Sequence, residues 1–238
     1  MACAGGPDAI NTNLVLALDA ANKVSYPGTG TGWYNLNSTI TSGSVNLNST
    51  IQSGSLKNSP TFSNTNGGCI VFDGTDDYVL LGNASAFLPT SAITINCWAK
   101  TNVVQVYKKI FVTVTAGTQS VTGVYFSLGP TTSIYLGIIT NNGTQYVGTY
   151  TDPSTSAFSN FCGTYDGANI RLYLNGTLLA TQAHTGTIVN TGIGRISGYD
   201  NGSEIWDGKI ASFSIYNRAL TTSEVLQNYN VTKTRFGL

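Results

Sequence analysis

The sequence predicts an all-β protein: a two-sheet antiparallel sandwich of the jelly-roll type with one short C-terminal helix. Three observations carry that prediction. The apolar runs are short and are broken by Gly, Asn, Asp and Pro. Where a run is long enough to reveal a period, the period is two: Ile93, Ile95, Cys97 and Ala99 alternate with Thr94, Asn96, Trp98 and Lys100, the pattern of a strand whose two faces differ. Asn141-Asn142-Gly143 and Asn175-Gly176 are hairpin turns, because Asn and Gly accept positive φ at little cost. Many short strands at this spacing indicate a sandwich or barrel.

In chain order, Leu14–Leu18 reads as a first strand. Cys69–Phe72 and Tyr78–Leu81 flank the turn Asp73-Gly74-Thr75-Asp76. Strands are expected at Ile93–Lys100, Ile110–Thr115, Val121–Leu128, Ile134–Thr140 and Ile170–Leu174, with a last strand or pair within Ile205–Tyr216. Thr221-Thr222-Ser223-Glu224 fits a capping box, Thr221 being the N-cap and Glu224 reaching back to it. Val225, Leu226 and Tyr229 give the helix that follows an apolar face. The chain divides into an N-terminal arm, 1–13, and one domain, 14–238. Within the domain a stretch of eleven residues is duplicated at about 35–55: Asn35-Leu36-Asn37-Ser38-Thr39-Ile40 returns as Asn46-Leu47-Asn48-Ser49-Thr50-Ile51. Two copies are too few for a solenoid, so this is a local insert or a contact arm.

The 238 residues carry only 9 % charged side chains and a formal net charge of zero. A nucleic-acid binder needs a basic stripe; here only Lys108 and Lys109 are adjacent. No apolar run is long enough to span a membrane as a helix. The N-terminus lacks the basic and apolar regions of a secretory signal, so synthesis without a signal peptide, in the cytoplasm, is expected. The four cysteines, Cys3, Cys69, Cys97 and Cys162, form no Cys-x-x-Cys pair, which argues against zinc. Cys69 and Cys97 read as small buried hydrophobes, and a Cys69–Cys162 or Cys97–Cys162 bridge stays open.

Catalytic chemistry finds little support. A glycosidase needs two carboxylates across the scissile bond, and the only glutamates are Glu204 and Glu224. Glu224 belongs to the helix cap. Glu204 and Asp207 would point to opposite faces of a strand. The one histidine, His184, sits in a loop-like stretch without a nucleophile motif. The protein is therefore expected not to be an enzyme and to need no cofactor, calcium being the exception worth testing. Asp73 and Asp76 in one loop, and Asp200 and Glu204 in another, offer hard oxygen ligands, although tight turns account for the same residues. Aromatic side chains near loops are the candidates for stacking on sugars: Trp33, Tyr34, Tyr146 and Tyr199, with Tyr150 beside them.

Several stretches together resemble the laminin-G-like, concanavalin A-like jelly-roll family, in the version found in structural proteins of tailed bacteriophages of marine bacteria and cyanobacteria. They are Leu14–Asn22, Ser25–Thr31 with Trp33, Gly67–Val79, Ile93–Trp98, Leu172–Gly176 and Gly208–Thr221, ending at Arg235-Phe236-Gly237-Leu238. The chain departs from the family's pattern after Trp33, where Asn35-Leu36-Asn37-Ser38 replaces the usual Asp-Leu-Ser-Gly; a metal site using that Asp would be lost here. The resemblance implies a virion structural protein on the particle exterior. That means a capsid decoration (cement) protein or a tail or fibre component, bound to other virion proteins or to host surface glycans and assembled as a homo-oligomer or on a lattice. The alternative is a free carbohydrate-binding lectin domain, perhaps calcium-dependent. The same sandwich hosts lectins, hydrolases and adhesion modules, so the ligand must be argued from the site.

Overall fold

A computed structural model of the protein describes residues 8–37, 54–103, 107–129, 133–150, 153, 155–199 and 201–238. The short apolar runs become strands, each stopped where Gly, Asn or Asp turns the chain. In order they are β1 (Leu14–Asp19), β2 (Gly32–Trp33), β3 (Gly54–Lys57), β4 (Thr61–Ser63), β5 (Cys69–Asp73), β6 (Tyr78–Asn83), β7 (Ile93–Thr101) and β8 (Lys108–Val114). The second half adds β9 (Val121–Gly129), β10 (Ser133–Thr140), β11 (Gly143–Tyr150), β12 (Ser159–Tyr165), β13 (Asn169–Leu174), β14 (Thr177–Ala183), β15 (Ile193–Ile196), β16 (Asp207–Tyr216) and the helix α1 (Thr222–Thr232). Every strand pairing is antiparallel.

Two sheets result. One runs β14-β13-β12-β7-β16-β5-β4, with β1 also on β16; the other runs β11-β10-β9-β8-β15-β6-β3-β2. The core lies between them, where Leu16, Phe72, Ile95, Phe213 and Ile215 of the first sheet meet Phe111, Val124, Phe126, Ile134 and Leu136 of the second. Trp33 and Trp206 are also fully buried in this core.

The two outer faces differ, and that difference places the site. The outer face of the first sheet is covered. Trp98 stacks on Phe236 at 4.1 Å between ring centroids, lies near-parallel to Tyr229 at 5.8 Å, and donates from Nε1 to Thr232 Oγ1 at 2.9 Å. Cys162, Tyr173, Tyr216, Leu220 and Val225 form a second covered patch, against which Ile10 and Leu14 pack. Truncating an aromatic so placed costs about 3–5 kcal/mol. Residues 8–13 of the arm are held to this face: Ile10 N donates to Asn228 Oδ1, and Tyr216 Oη donates to Ile10 O. Residues 1–7, and 38–53 of the duplicated insert, lie outside the described residues.

Helix α1 starts as expected. Glu224 N donates to Thr221 Oγ1 and Thr221 N donates to Glu224 Oε2, completing the capping box. Arg218 grips the same carboxylate with two hydrogen bonds of 2.8 Å, which pull its pKa down to about 2. Asn35 is buried and structural: Oδ1 accepts from Ala17 N and Asn37 N, while Nδ2 donates to Val15 O. An aspartate could not make the last bond. Cys69, Cys97 and Cys162 are buried free thiols, so the bridges left open from the sequence are not formed.

Candidate functional site

Period two puts one set of residues of β9, β10 and β11 into the core and the other set on the outer face of the second sheet. The inward residues include Val124, Phe126, Ile134, Leu136 and Val147. The outward ones include Tyr125, Tyr135 and Tyr146, and the pairing sets each beside a glycine. Gly137 lies opposite Tyr125 on one side and Tyr146 on the other, and Tyr135 lies opposite Gly148. The glycines are needed as floor. A Cβ at Gly137 would stand 2.0 Å from the Tyr125 ring, and one at Gly129 or Gly148 would stand 2.1 or 2.3 Å from the Tyr135 ring. The rings therefore lie down over bare backbone, and Tyr146 meets Tyr135 edge-on at 5.8 Å.

A charge pair stands at the edge of this platform. Lys109, only 4 % exposed, extends from β8 with Nζ 4.9 Å from the Tyr125 centroid and 5.0 Å from that of Tyr199. The ring faces carry negative potential and hold the ammonium by cation–π attraction. Glu204 Oε2 approaches Nζ to 2.9 Å, but this buried oxygen has no aligned hydrogen bond, so the contact is one of charge alone. The loop that delivers Tyr199 and Glu204 is a tight turn. Tyr199 N donates to Ser203 O, Lys109 N donates to Glu204 O, and Glu204 takes φ +55°. Burial raises the phenol pKa of Tyr125 and of Tyr199 to about 12, with neighbouring phenols adding to the first and the Glu204 charge to the second. Both hydroxyls thus remain protonated donors at neutral pH.

Together Tyr107, Lys109, Tyr125, Ser127, Tyr135, Tyr146, Tyr199 and Glu204 line a depression of about 400 Å³. Tyr107 and Tyr146 form its exposed rim, at 49 % and 55 % exposure. It presents flat apolar rings, phenol donors, and one acid–base pair that is already self-neutralised. Among the described lining residues Glu204 is the single carboxylate.

The structure thus unites Tyr146, Tyr199 and Glu204, which the sequence had assigned to two different kinds of site. Trp33 offers no surface, being fully buried, and Tyr34 is half-buried with its ring against Gly32. Asp200 lies outside the described residues. Asp73 and Asp76 come together with Asp77, their nearest carboxylate oxygens within 4.8 Å of one another. Asp77 is buried and accepts from Asp73 N; burial raises its pKa to about 6, and the charges of Asp73 and Asp76 push it further the same way. Such a triad can serve a hard cation or relieve itself by holding a proton. His184 is engaged with Thr140 Oγ1 at 3.1 Å and lies beside the Tyr165 ring. Sequence reasoning missed Tyr107, Lys109, Tyr125, Ser127 and Tyr135. The signal was present as tyrosine and glycine at spacing two on adjoining strands (Tyr135-x-Gly137, Tyr146-x-Gly148).

Fold and site together define a β-sandwich binding domain: one face is sealed, the other carries an aromatic platform on a glycine floor. The family described as the concanavalin A-like lectin/glucanases superfamily, laminin G type, matches residues 73–226. That is more than half of the chain, and the protein belongs to this family. No curated protein matches it in sequence. Among solved structures, the binding domain of botulinum neurotoxin serotype G is similar with a TM-score of 0.68 and 15 % identity, covering 93 % of this chain and 52 % of that one. The chain thus spans about half the length of the toxin binding domain. Domain 4 of AbnA, an extracellular arabinanase of Geobacillus stearothermophilus solved with arabinotriose, gives 0.62 at 16 % identity, covering 91 % of this chain and 98 % of its own. The CBM40 of the Ruminococcus gnavus IT-sialidase, bound to α2,3-sialyllactose, gives 0.51 at 14 % identity over 58 % and 83 %. At these identities the likeness concerns the fold. No helix among the described residues is long and apolar enough to cross a membrane.

Proposed function

We propose that the protein is a non-catalytic carbohydrate-binding domain whose ligand lies across the tyrosine platform of the second sheet. One observation carries the reading: Tyr125 and Tyr135 are laid flat by the glycines beneath them, with Tyr146 and the Lys109–Glu204 pair at their margin. Pyranose rings offer C–H faces that stack on such aromatics, and their hydroxyls pair with phenol, ammonium and carboxylate groups. Rings locked by packing lose little entropy when a ligand arrives. The sugar-bound arabinanase domain and sialidase module support the reading by analogy of fold. A lone carboxylate among the described lining residues favours binding over hydrolysis, which needs two. No metal is required by this arrangement.

The setting we propose is the one that the sequence resemblance implies, the exterior of a tailed-phage particle, as capsid decoration or as part of a tail or fibre. There the domain meets host glycans or neighbouring virion proteins. The low charge of the chain suits close packing of many copies.

Glycan-array screening followed by calorimetry tests the reading. Tyr146→Ala removes an exposed rim ring and weakens the best ligand by about 2 kcal/mol, roughly thirtyfold. A wild-type protein that binds no glycan, or a Tyr146→Ala protein that binds as well as wild type, would overturn it. Purified particles that lack the protein would remove the virion setting and leave the free lectin.

A further inference from the structure

The same tyrosine–glycine tiling runs to the edge of its sheet and stops unfinished. Strand β11 is the terminal strand of the second sheet among the described residues. Its eight residues, Gly143–Tyr150, include no charged residue and no proline, and its pairing with β10 is free of bulges. Long edges are normally blunted by just those devices. The other terminal strands differ: β2 and β4 have two and three residues, and β14 pairs through a register shift at Leu172/Tyr173.

The hydrogen-bond phase of the edge follows from its neighbours. Asn141 N donates to Thr187 O and Val189 N donates to Ile139 O, on the side of β10 away from β11. Thr140 therefore turns its N–H and C=O toward Gly143, and alternation carries this along the ladder through Gln145, Val147 and Thr149. Thr144, Tyr146, Gly148 and Tyr150 turn theirs outward, to the open edge.

We propose that a second copy of the chain closes this edge, its own β11 pairing antiparallel with β11 about a two-fold axis at Val147. In that register Tyr146 stands opposite the partner's Gly148, and Gly148 opposite the partner's Tyr146. Thr144 faces the partner's Tyr150 along the backbone. Both members of each pair have outward N–H and C=O groups, so the seam is a regular antiparallel ladder. It continues the rule seen inside the sheet, where Tyr125 lies opposite Gly137 and Tyr135 opposite Gly148. The competing two-fold register, centred on Tyr146, would set tyrosine against tyrosine. The strand is thus its own complement, as an isologous interface demands. With no formal net charge, two copies do not repel. The ring of Tyr146, 55 % exposed in the single chain, gains a glycine to lie over next to the partner's Tyr135. Two platforms then form one continuous face. The seam is short, so a dimer of about micromolar Kd is expected.

Sedimentation velocity on the full chain, up to about 100 µM, tests this. Wild type sediments as a dimer whose population falls on dilution. Thr144→Pro, which removes only an outward N–H, is monomeric over the same range with an unchanged far-UV spectrum. Gln145→Cys combined with Thr149→Cys gives a covalent dimer under mild oxidation. These residues face each other across the proposed axis as a non-hydrogen-bonded pair with Cα atoms about 4.5 Å apart, within disulfide reach. Each single cysteine adds no crosslink to that of the parent chain. A monomeric wild type, a dimer that survives Thr144→Pro, or a double-cysteine variant that stays uncrosslinked overturns the proposal. Glycan binding by the monomeric variant is measured separately and does not bear on it.

Discussion

Replacing Glu204 by glutamine tests whether the charge pair beside the platform is a structural unit. Glutamine keeps the length and shape of the side chain and leaves the backbone bond from Lys109 N to residue 204 O in place. What it removes is the counter-charge 2.9 Å from an ammonium whose side chain is 6 % exposed. Stranding a buried charge costs about 3–5 kcal/mol. Two ring faces, each contributing about 0.5–2 kcal/mol to a cation above it, offset part of that cost. A net loss of about 2 kcal/mol follows, or about 4–8 °C in melting temperature for a chain of this length. Lys109→Met leaves Glu204, whose side chain is 28 % exposed and open to water, and costs less, about 1 kcal/mol. The double variant Lys109→Met/Glu204→Gln recovers part of the loss of Glu204→Gln, because no unpaired charge remains. Calorimetric melts of the four proteins at pH 7 close the cycle. A Glu204→Gln melt within about 1 °C of wild type, or a double variant less stable than Glu204→Gln, would refute the argument.

Three further outcomes are expected. Asp77, its pKa raised from 3.8 to about 6 in the fold, binds its proton more tightly folded than unfolded. Its contribution is therefore present in full below about pH 4 and is lost as pH rises through 6, by roughly 3 kcal/mol at about 1.4 kcal/mol per unit. Asp77→Asn should flatten that part of the stability profile in urea titrations, and an unchanged slope between pH 4 and 6 would count against it. Thr221→Ala, which removes the helix N-cap, should lower stability by about 1 kcal/mol in the same assay. Gly137→Ala sets a methyl 2.0 Å from the Tyr125 ring; it should change the near-UV dichroism and weaken glycan binding while the far-UV spectrum persists. Retained affinity would show that the ring's position is not what the ligand reads.

The sequence by itself determined the fold class, the expected strands and the helix with its cap, because each rests on local physics: period two, turn residues with positive φ, and a capping box. Strand β12, Ser159–Tyr165, was not legible, and its burial explains why. All seven residues are buried, the sheet being covered on both faces, so its pattern shows no alternation. Glu204 was read on a strand facing away from Asp207. It lies instead in a turn with φ +55° before β16, a conformation that no periodicity announces. The site was half legible. Tyr146 and Tyr199 could be named as aromatics near loops, but nothing local joins Tyr199 to Lys109, or Lys109 to Tyr125. Those contacts exist because β8, β9, β10 and β11 lie side by side in one register, which sets glycine against tyrosine across strands. Only the tertiary structure decided which face of which sheet stayed open, because that depends on where the helix and the C-terminal turn came to rest.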